Sequence, residues 1–527
     1  MPVLSWLGKE KVVNHDSEVP FHVMDKQYTY GGEGDVGNRI IHGDNLITLK
    51  SLLPEYEGKI DCIYIDPPYN TGEEKWVYND NLSDPRISKW LNKVVGKKFE
   101  DLSRHDKWLC MMYPRLVLLR KLLSESGSIF ISIDDNEQAT MKILCDEIFG
   151  ENNFVNKFVW KKNSSGKTVS REFPTNIEYI YMYSKCRDKH KFNVVFKPLA
   201  ATTVASYSKD DGDGRGKYCT VSLQKTKNPG PETTYDYVDN TGRVWPCPAK
   251  GWRMIKSKVK DLENDGRLYM EGKTLREKVY WNERESDGQY ADTLWDDMPE
   301  GNVGTGEVNK ILGKEMFDYP KPVDLIKRCI EIGSNKDSII LDSFAGSGTT
   351  AHAVLKLNKE DGGNRKFILC EMNDYADAVT AERVKRVING YKDGKNDVQG
   401  IKASFDFYKL GEPLFNEENI NANLDIDVLR KYIAYSQGVK PNDYLQLNNE
   451  ISPHAIALSK NTLWLFNYEP HKPTSLDLDF LGSIRLKHLE NKPSQFIAYA
   501  DRCLLDEATL RKYNITFKRL PRDIVRF

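Results

Sequence analysis

Apolar positions along this chain fall into short continuous runs that alternate with stretches of helical spacing. Residues 38–44 predict a strand running into a turn, and 45–53 a helix with Leu46, Leu49 and Leu53 on one face. Residues 61–65 predict a buried central strand, which with the opening strand would form a first β-α-β pair. Residues 105–123 predict a helix apolar on one side, 127–135 a second buried strand followed by a helix to Phe149, and 178–183 a further strand. The alternation resumes with strands at 337–342 and 366–370, the first leading into a helix through Leu357. Such strand–helix alternation predicts an α/β fold, a doubly wound, Rossmann-like and mainly parallel sheet.

The stretches that break this pattern divide the chain. Residues 1–36 read as an irregular lead-in, and 37–184 as the first half of the sheet. In 185–300 periodicity weakens, Gly and Pro rise and aromatics sit among basic residues, so this segment reads as an inserted domain. Residues 301–410 return to the sheet. A polar linker at about 411–425 then leads to a helix near 428–435, a hairpin at 455–468 and strands at 495–499 and 514–520, a small α/β C-terminal domain (411–527) suited to interaction. A long polar loop at 70–102 carries Trp76, Tyr78 and Trp90 and reads as a lid or substrate loop.

Composition narrows the class. A chain of 527 residues is too long for one ordinary domain. A mean hydropathy of −0.59 fits a soluble protein. No apolar run reaches membrane-spanning length and no secretory pattern opens the chain, so a cytoplasmic protein without membrane association is expected. Nine cysteines, an odd number with no CxxC pair, point to neither a disulfide framework nor a zinc site, and no metal is expected. The formal net charge of −1 leaves nucleic-acid binding open, because that depends on where the positive charge sits.

Two stretches carry chemistry. At the end of the central strand stands Asp66-Pro67-Pro68-Tyr69. The prolines stiffen the turn, holding a carboxylate, proline carbonyls and an aromatic face at a strand's C-terminal edge, a set suited to a flat, hydrogen-bonding nucleobase. After the insertion, Asp342 ends a strand and Phe344-Ala345-Gly346-Ser347-Gly348-Thr349 opens a helix. Small residues let the backbone approach a ligand with helix N–H groups facing it. Glu371 ends the next strand, where a carboxylate can grip a ribose diol. No Lys follows the last glycine, so this is not a Walker loop. Asp44, at the first strand's end, suits a ligand contact or a helix N-cap equally. In the insertion, Arg243, Trp252, Arg253 and Lys256 belong to a run with no acidic residue between Arg243 and Lys260. With Lys161 and Lys162 at its approach, this run is a candidate DNA-binding surface or a solvated charged face.

The order of the two motifs, catalytic-looking turn before the insertion and glycine loop after it, resembles the β-class DNA amino-methyltransferases. The runs at 127–137, 318–326 (Asp318-Tyr319-Pro320-Lys321-Pro322 onward) and 341–358 are similar to the modification (Mod) subunits of type III restriction–modification systems. The resemblance implies a methyltransferase sheet of permuted motif order with 185–300 as target-recognition domain. It makes Asp66, Pro67, Pro68 and Tyr69 the catalytic motif. S-adenosylmethionine is the implied cofactor, with Asp342, Phe344, Ala345, Gly346, Gly348 and Thr349 around its loop, Glu371 at the ribose, Asp44 at the adenine, and Lys321 and Pro322 at the methionine end. The implied reaction is methylation of the N6 amine of a flipped adenine in double-stranded DNA; N4 of cytosine, an RNA target and a DNA-reading subunit with vestigial catalysis are alternatives. The implied partners are a second copy of the chain and a nuclease–helicase restriction subunit.

Overall fold

The computed structural model describes residues 3–32, 37–71, 89, 103–164, 173–197, 201–225, 230–284, 289–313, 316–394, 396–416, 419–447, 450–459, 461–487, 489 and 492–521. Trp76, Tyr78 and Trp90 of the expected lid lie outside the described residues.

The main sheet has ten strands: β1 (His22–Tyr30), β2 (Arg39–His42), β3 (Ile60–Ile65), β4 (Leu123–Ile133), β5 (Phe154–Lys161), β6 (Ile177–Ser184), β7 (Leu294–Trp295), β8 (Ile339–Asp342), β9 (Lys366–Glu371) and β10 (Phe405–Pro413). Their order in space is β1-β10-β2-β9-β8-β3-β4-β6-β5-β7. The run from β10 through β4 is parallel throughout. Its central strands are apolar on both faces, as helix-covered parallel strands must be: Ile340, Leu341 and the stretch Phe367–Cys370 are fully buried.

Two features depart from the expected alternation. β2 and β3 do not lie side by side, because β9 and β8, from the far side of the insertion, enter between them. And β6 runs antiparallel to both β4 and β5. A parallel pair needs a crossover element, and the described residues between β5 and β6 hold no helix.

The helices that matter for the site are α1 (Asn45–Tyr56), α2 (Arg104–Leu122), α3 (Gln138–Phe149), α4 (Gly301–Leu312), α5 (Val323–Gly333), α6 (Thr349–Asp361) and α7 (Glu382–Asn389). α2 starts at a capping box in which Ser103 and Asp106 exchange hydrogen bonds. It buries Trp108, Leu116 and Leu119 completely.

The insertion forms a compact unit at Val194–Asp292. Its small core is built from Leu223, Tyr237, Trp245, Trp252, Val259, Leu268 and Leu275. These limits are narrower than the expected 185–300. Residues 294–295 belong to the main sheet instead, where Trp295 stacks on Phe158 with ring centres 4.4 Å apart.

The C-terminal region also differs from expectation. β10 runs through the start of the expected linker to Pro413. A helix α8 (Ile426–Ser436) then buries Leu429, Tyr432 and Ile433 in the same core as α1, with Tyr432 edge-on to Phe21 at 4.8 Å. Apolar burial thus ties residues 411–436 to the sheet rather than setting them apart. Beyond them β11 (Ala455–Ser459), β12 (Thr462–Phe466), β13 (Gln495–Ala500) and β14 (Ile515–Arg519) form a four-stranded sheet in that order, opened by the expected hairpin.

Candidate active site

Inserting β8 beside β3 brings the two chemical stretches together. Leu341 is in register with Ile63, so Asp342 and Asp66 both stand at the carboxyl edge of the sheet, the edge at which open α/β sheets bind ligands. A cavity of about 300 Å³ opens there, walled by Asp66, Pro67 and Tyr69 on one side and by the 342–350 loop on the other.

The Asp66–Tyr69 turn is held by a network of charges. The single hydroxyl proton of Tyr69 is shared between Asp66 Oδ1, at 2.8 Å, and Glu178 Oε2, at 3.2 Å. Lys321 Nζ grips both Asp66 oxygens, at 2.9 and 2.8 Å, stands 3.5 Å from Glu178 Oε2, and lies 4.8 Å over the Tyr69 ring centre. Lys162 Nζ reaches the other Glu178 oxygen at 3.1 Å. Burial works against the Lys321 ammonium, but Asp66 and Glu178 outweigh it, and the pKa of Lys321 is raised. Burial likewise works against ionised Glu178, but Lys321 and Lys162 outweigh it and hold its pKa below the ordinary value. Burial, together with Asp66 and Glu178, pushes Tyr69 far above the usual phenol range, so it stays a neutral donor.

The two proline carbonyls are not equivalent. Pro68 O accepts from the Trp108 indole N–H at 2.7 Å, so it is engaged within the protein, whereas Pro67 lines the cavity. Asn70, next in the chain, adopts a left-handed φ of 60°, which Asn tolerates better than most residues. Its side chain donates to the buried Glu137.

On the opposite wall, Asp342 accepts from the Phe344 N–H at 2.9 Å and from the Thr350 hydroxyl at 2.5 Å. Burial pushes its pKa up to about 7 against those two hydrogen bonds, with Asp66 and Glu371 adding to the rise. The loop turns through Gly346 and Gly348 at φ of 51° and 79°. A Cβ at Gly348 would come within 3.0 Å of the Thr380 carbonyl. From behind, the fully buried Arg383 donates to the hydroxyls of Ser347 and Thr349 at 2.8 and 2.7 Å.

Of the residues expected around a cofactor, the cavity gathers Lys321, Asp342, Phe344, Ala345, Gly346 and Thr349. Asp44, Pro322, Gly348 and Glu371 do not line it. Asp44 caps α1 through the Leu46 N–H at 2.8 Å, and Pro322 precedes α5 as its N-cap. Glu371 is buried, with one oxygen accepting from the Gly346 N–H at 2.7 Å and the other from the Asn373 N–H at 2.9 Å. It braces the glycine loop instead of facing the cavity. Free amides at the start of α6, an apolar wall at Phe344 and Ala345, and an ammonium at Lys321 fit the amino-acid end of S-adenosylmethionine in charge and polarity.

The expected DNA contacts divide in the same way. Arg243, Arg253 and Lys256 are exposed, Arg243 over the Trp245 ring at 3.9 Å and Arg253 donating to the Ser222 carbonyl at 3.2 Å. Trp252 is 2% exposed and its indole N–H donates to the Tyr235 carbonyl at 2.6 Å. It is a core residue with no face left for a base. Lys161 ends β5 and does not line the cavity, whereas Lys162 lines it and pairs with Glu178.

Sequence reading missed Glu178, Trp108 and Arg383. Glu178 left a signal, as a carboxylate inside the otherwise apolar and aromatic Ile177–Ser184 strand. Trp108 and Arg383 left none, since each lies on a helix face where burial is ordinary.

The doubly wound sheet thus brings the Asp-Pro-Pro-Tyr turn and the glycine loop to the walls of one cavity. The chain belongs to the DNA methylase (N6_N4_Mtase) family, whose model matches residues 60–382. It is 34% identical over 409 residues to the Mod subunit of the type III restriction–modification enzyme StyLTI of Salmonella typhimurium, covering 71% of this chain and 60% of that one. It is 33% identical to the EcoPI Mod subunit of Escherichia phage P1, over 70% of this chain and 63% of that one. The type II methyltransferase M.KpnI of Klebsiella pneumoniae is 33% identical over 66% of this chain and 84% of its own length. The chain thus spans somewhat under two thirds of the length of the two Mod subunits.

Proposed function

We propose that this chain is a site-specific DNA methyltransferase that transfers a methyl group from S-adenosylmethionine to the N6 amine of adenine, and that it serves as the modification subunit of a type III-like restriction–modification system. The observation that carries the reading is one cavity walled by both Asp66-Pro67-Tyr69 and the Phe344–Thr349 loop. When bound, S-adenosylmethionine supplies an electrophilic methyl group.

The lone pair of an aromatic amine is delocalised into its ring, so the amine is a poor nucleophile. Asp66 and the Pro67 carbonyl would each accept one amine hydrogen, drawing the nitrogen toward tetrahedral geometry with its lone pair directed out of the ring plane. Asp66 would then receive the proton that the methylated nitrogen sheds. Tyr69 offers a ring face, which requires the target base to leave the helix stack. Phe344, Ala345, Gly346, Thr349 and the N-terminus of α6 would hold the cofactor, with Arg383 and Glu371 bracing the loop. Holding both reactants in one orientation is a large part of catalysis for such a reaction.

Unit 194–292 is read as the target-recognition domain, with Arg243, Arg253 and Lys256 on phosphates. A homodimer, a nuclease–helicase partner and a cytoplasmic setting complete the reading. The Mod names of the relatives support the partner, and among the described residues no helix is long and apolar enough to cross a membrane.

The test is methyl transfer from tritiated S-adenosylmethionine to unmethylated genomic DNA, followed by base-resolution mapping. N6-methyladenine at one recurrent sequence is expected; N4-methylcytosine would replace the adenine assignment, and an absence of label would refute the function. Asp66→Ala should abolish transfer while calorimetry finds cofactor affinity changed by no more than about threefold, because Asp66 acts on the target amine.

A further inference from the structure

Both oxygens of Asp66 are engaged within the protein. Its Oδ1 accepts from both Tyr69 and Lys321, and its Oδ2 accepts from Lys321 again. The same ammonium covers a face of the Tyr69 ring. A nucleobase that stacks on that face and donates its amine to Asp66 therefore needs the place Lys321 holds. The ammonium cannot simply be expelled, since its side chain is only 10% exposed and a buried charge stripped of its counter-ion is strongly unfavourable. Among the described residues one other carboxylate lies within 4.0 Å of Lys321 Nζ, that of Glu178 at 3.5 Å. A displacement of less than about 1 Å turns that approach into a normal hydrogen bond.

We propose that Glu178 is a positioning residue for methyl transfer: it receives the Lys321 ammonium as the target amine takes over Asp66, and it keeps hold of the Tyr69 hydroxyl during the exchange. This rests on the amino-methyltransferase reading above. Lys162 fixes the far oxygen of Glu178 and leaves Oε2 turned toward Lys321 and Tyr69. Two carboxylates, Asp66 and Glu178, face two ammonium groups, Lys321 and Lys162, before and after the exchange. The net charge of the cluster is unchanged by the exchange, and Asp66, whose side chain is 25% exposed, gives up its ion pair with Lys321 for the amine while Glu178 gains one. With Glu178 made neutral, Lys321 has Asp66 as its one counter-ion, and the amine must compete with an ammonium for it.

The experiment compares Glu178→Gln, Lys321→Met and the double variant in steady-state methyl transfer, with tritiated S-adenosylmethionine and unmethylated genomic DNA. Glu178→Gln preserves shape and an acceptor for Tyr69, so kcat should fall about tenfold or more while KM for DNA and cofactor stays within about threefold. Glu178→Asp should recover part of the rate. On the Lys321→Met background Glu178→Gln should cause no further loss, because no ammonium remains to be received. A wild-type rate in Glu178→Gln, or losses that multiply in the double variant as a merely structural role requires, would overturn the proposal. Should Glu178→Gln fail to fold, Glu178→Asp carries the test alone: slowed transfer at unchanged KM supports it and a wild-type rate refutes it. If the wild-type protein puts no methyl group on DNA, the functional reading fails first; if it does and the variants match it, only the role of Glu178 falls.

Discussion

Replacing Asp342 by Asn should make the protein more stable at neutral and alkaline pH and leave it unchanged near pH 4. In the fold, burial keeps the carboxyl protonated up to about pH 7, against an ordinary value of 3.8. Between these values the folded state binds a proton that the unfolded chain has released, so stability falls as pH rises, by up to about 1.36 kcal/mol per pH unit. The contribution is intact below the unfolded value and fully lost above the folded one. From 3.8 to about 7 is about three units, or roughly 4 kcal/mol in all. Asn cannot ionise, and its carbonyl can still accept from the Phe344 N–H while its amide donates to the Thr350 oxygen. Urea unfolding of variant and wild type at intervals from pH 5.5 to 8.5, followed by tryptophan fluorescence, isolates the effect as a difference in which the rest of the molecule cancels. The gap should widen by about 2 kcal/mol between pH 5.5 and 7 and then level off. Parallel curves would refute the burial argument, and a variant less stable than wild type at pH 8 would show that the carboxylate is ionised and needed.

Two further outcomes follow from the geometry. Exchanging Arg243, Arg253 and Lys256 together for Gln should weaken DNA binding and make the slope of log K against log salt shallower by up to about 2.7, roughly 0.9 for each phosphate no longer neutralised; an unchanged slope in a fluorescence-anisotropy titration would mean a solvated face. Gly304→Ala on α4 should slow methyl transfer about tenfold or more with little loss of helix by circular dichroism, because its Cβ would lie 2.2 Å from the Pro320 carbonyl and 2.9 Å from the Lys321 carbonyl carbon, displacing the segment that aims Lys321.

What the sequence discloses is local. Pro67 and Pro68 stiffen the Asp66–Tyr69 turn whatever surrounds them, Gly346 and Gly348 announce a left-handed backbone, and apolar runs mark the strands. Pairing is not local. Nothing within β8 or β9 tells that they enter between β2 and β3, although that entry is what creates the cavity. Side-chain direction is equally hidden. Trp252 among basic residues reads the same whether its ring faces solvent or, as here, the core of unit 194–292. Glu371 at a strand end reads as a ribose ligand, but the amides of Gly346 and Asn373 occupy both of its oxygens. The expected linker failed for a related reason, since its polar residues flank Leu414 and Leu429, which are buried with α1.

The permuted strand order also explains how two similar carboxylates come to behave differently. Asp66 and Asp342 end neighbouring strands, and the Asp66 charge adds to the rise in the Asp342 pKa. The fold separates their roles by what each is given. Asp66 has the Lys321 ammonium on both of its oxygens, whereas Asp342 has two neutral donors and 2% exposure. With burial and only neutral donors, Asp342 holds its proton to about pH 7. In the ordinary unpermuted order of such a sheet the glycine-loop strand belongs to the opening half of the chain; here it arrives after the insertion, bringing with it the 318–322 segment that carries Lys321. The lysine and the loop enter the site on one continuous piece of chain, with α5 between them.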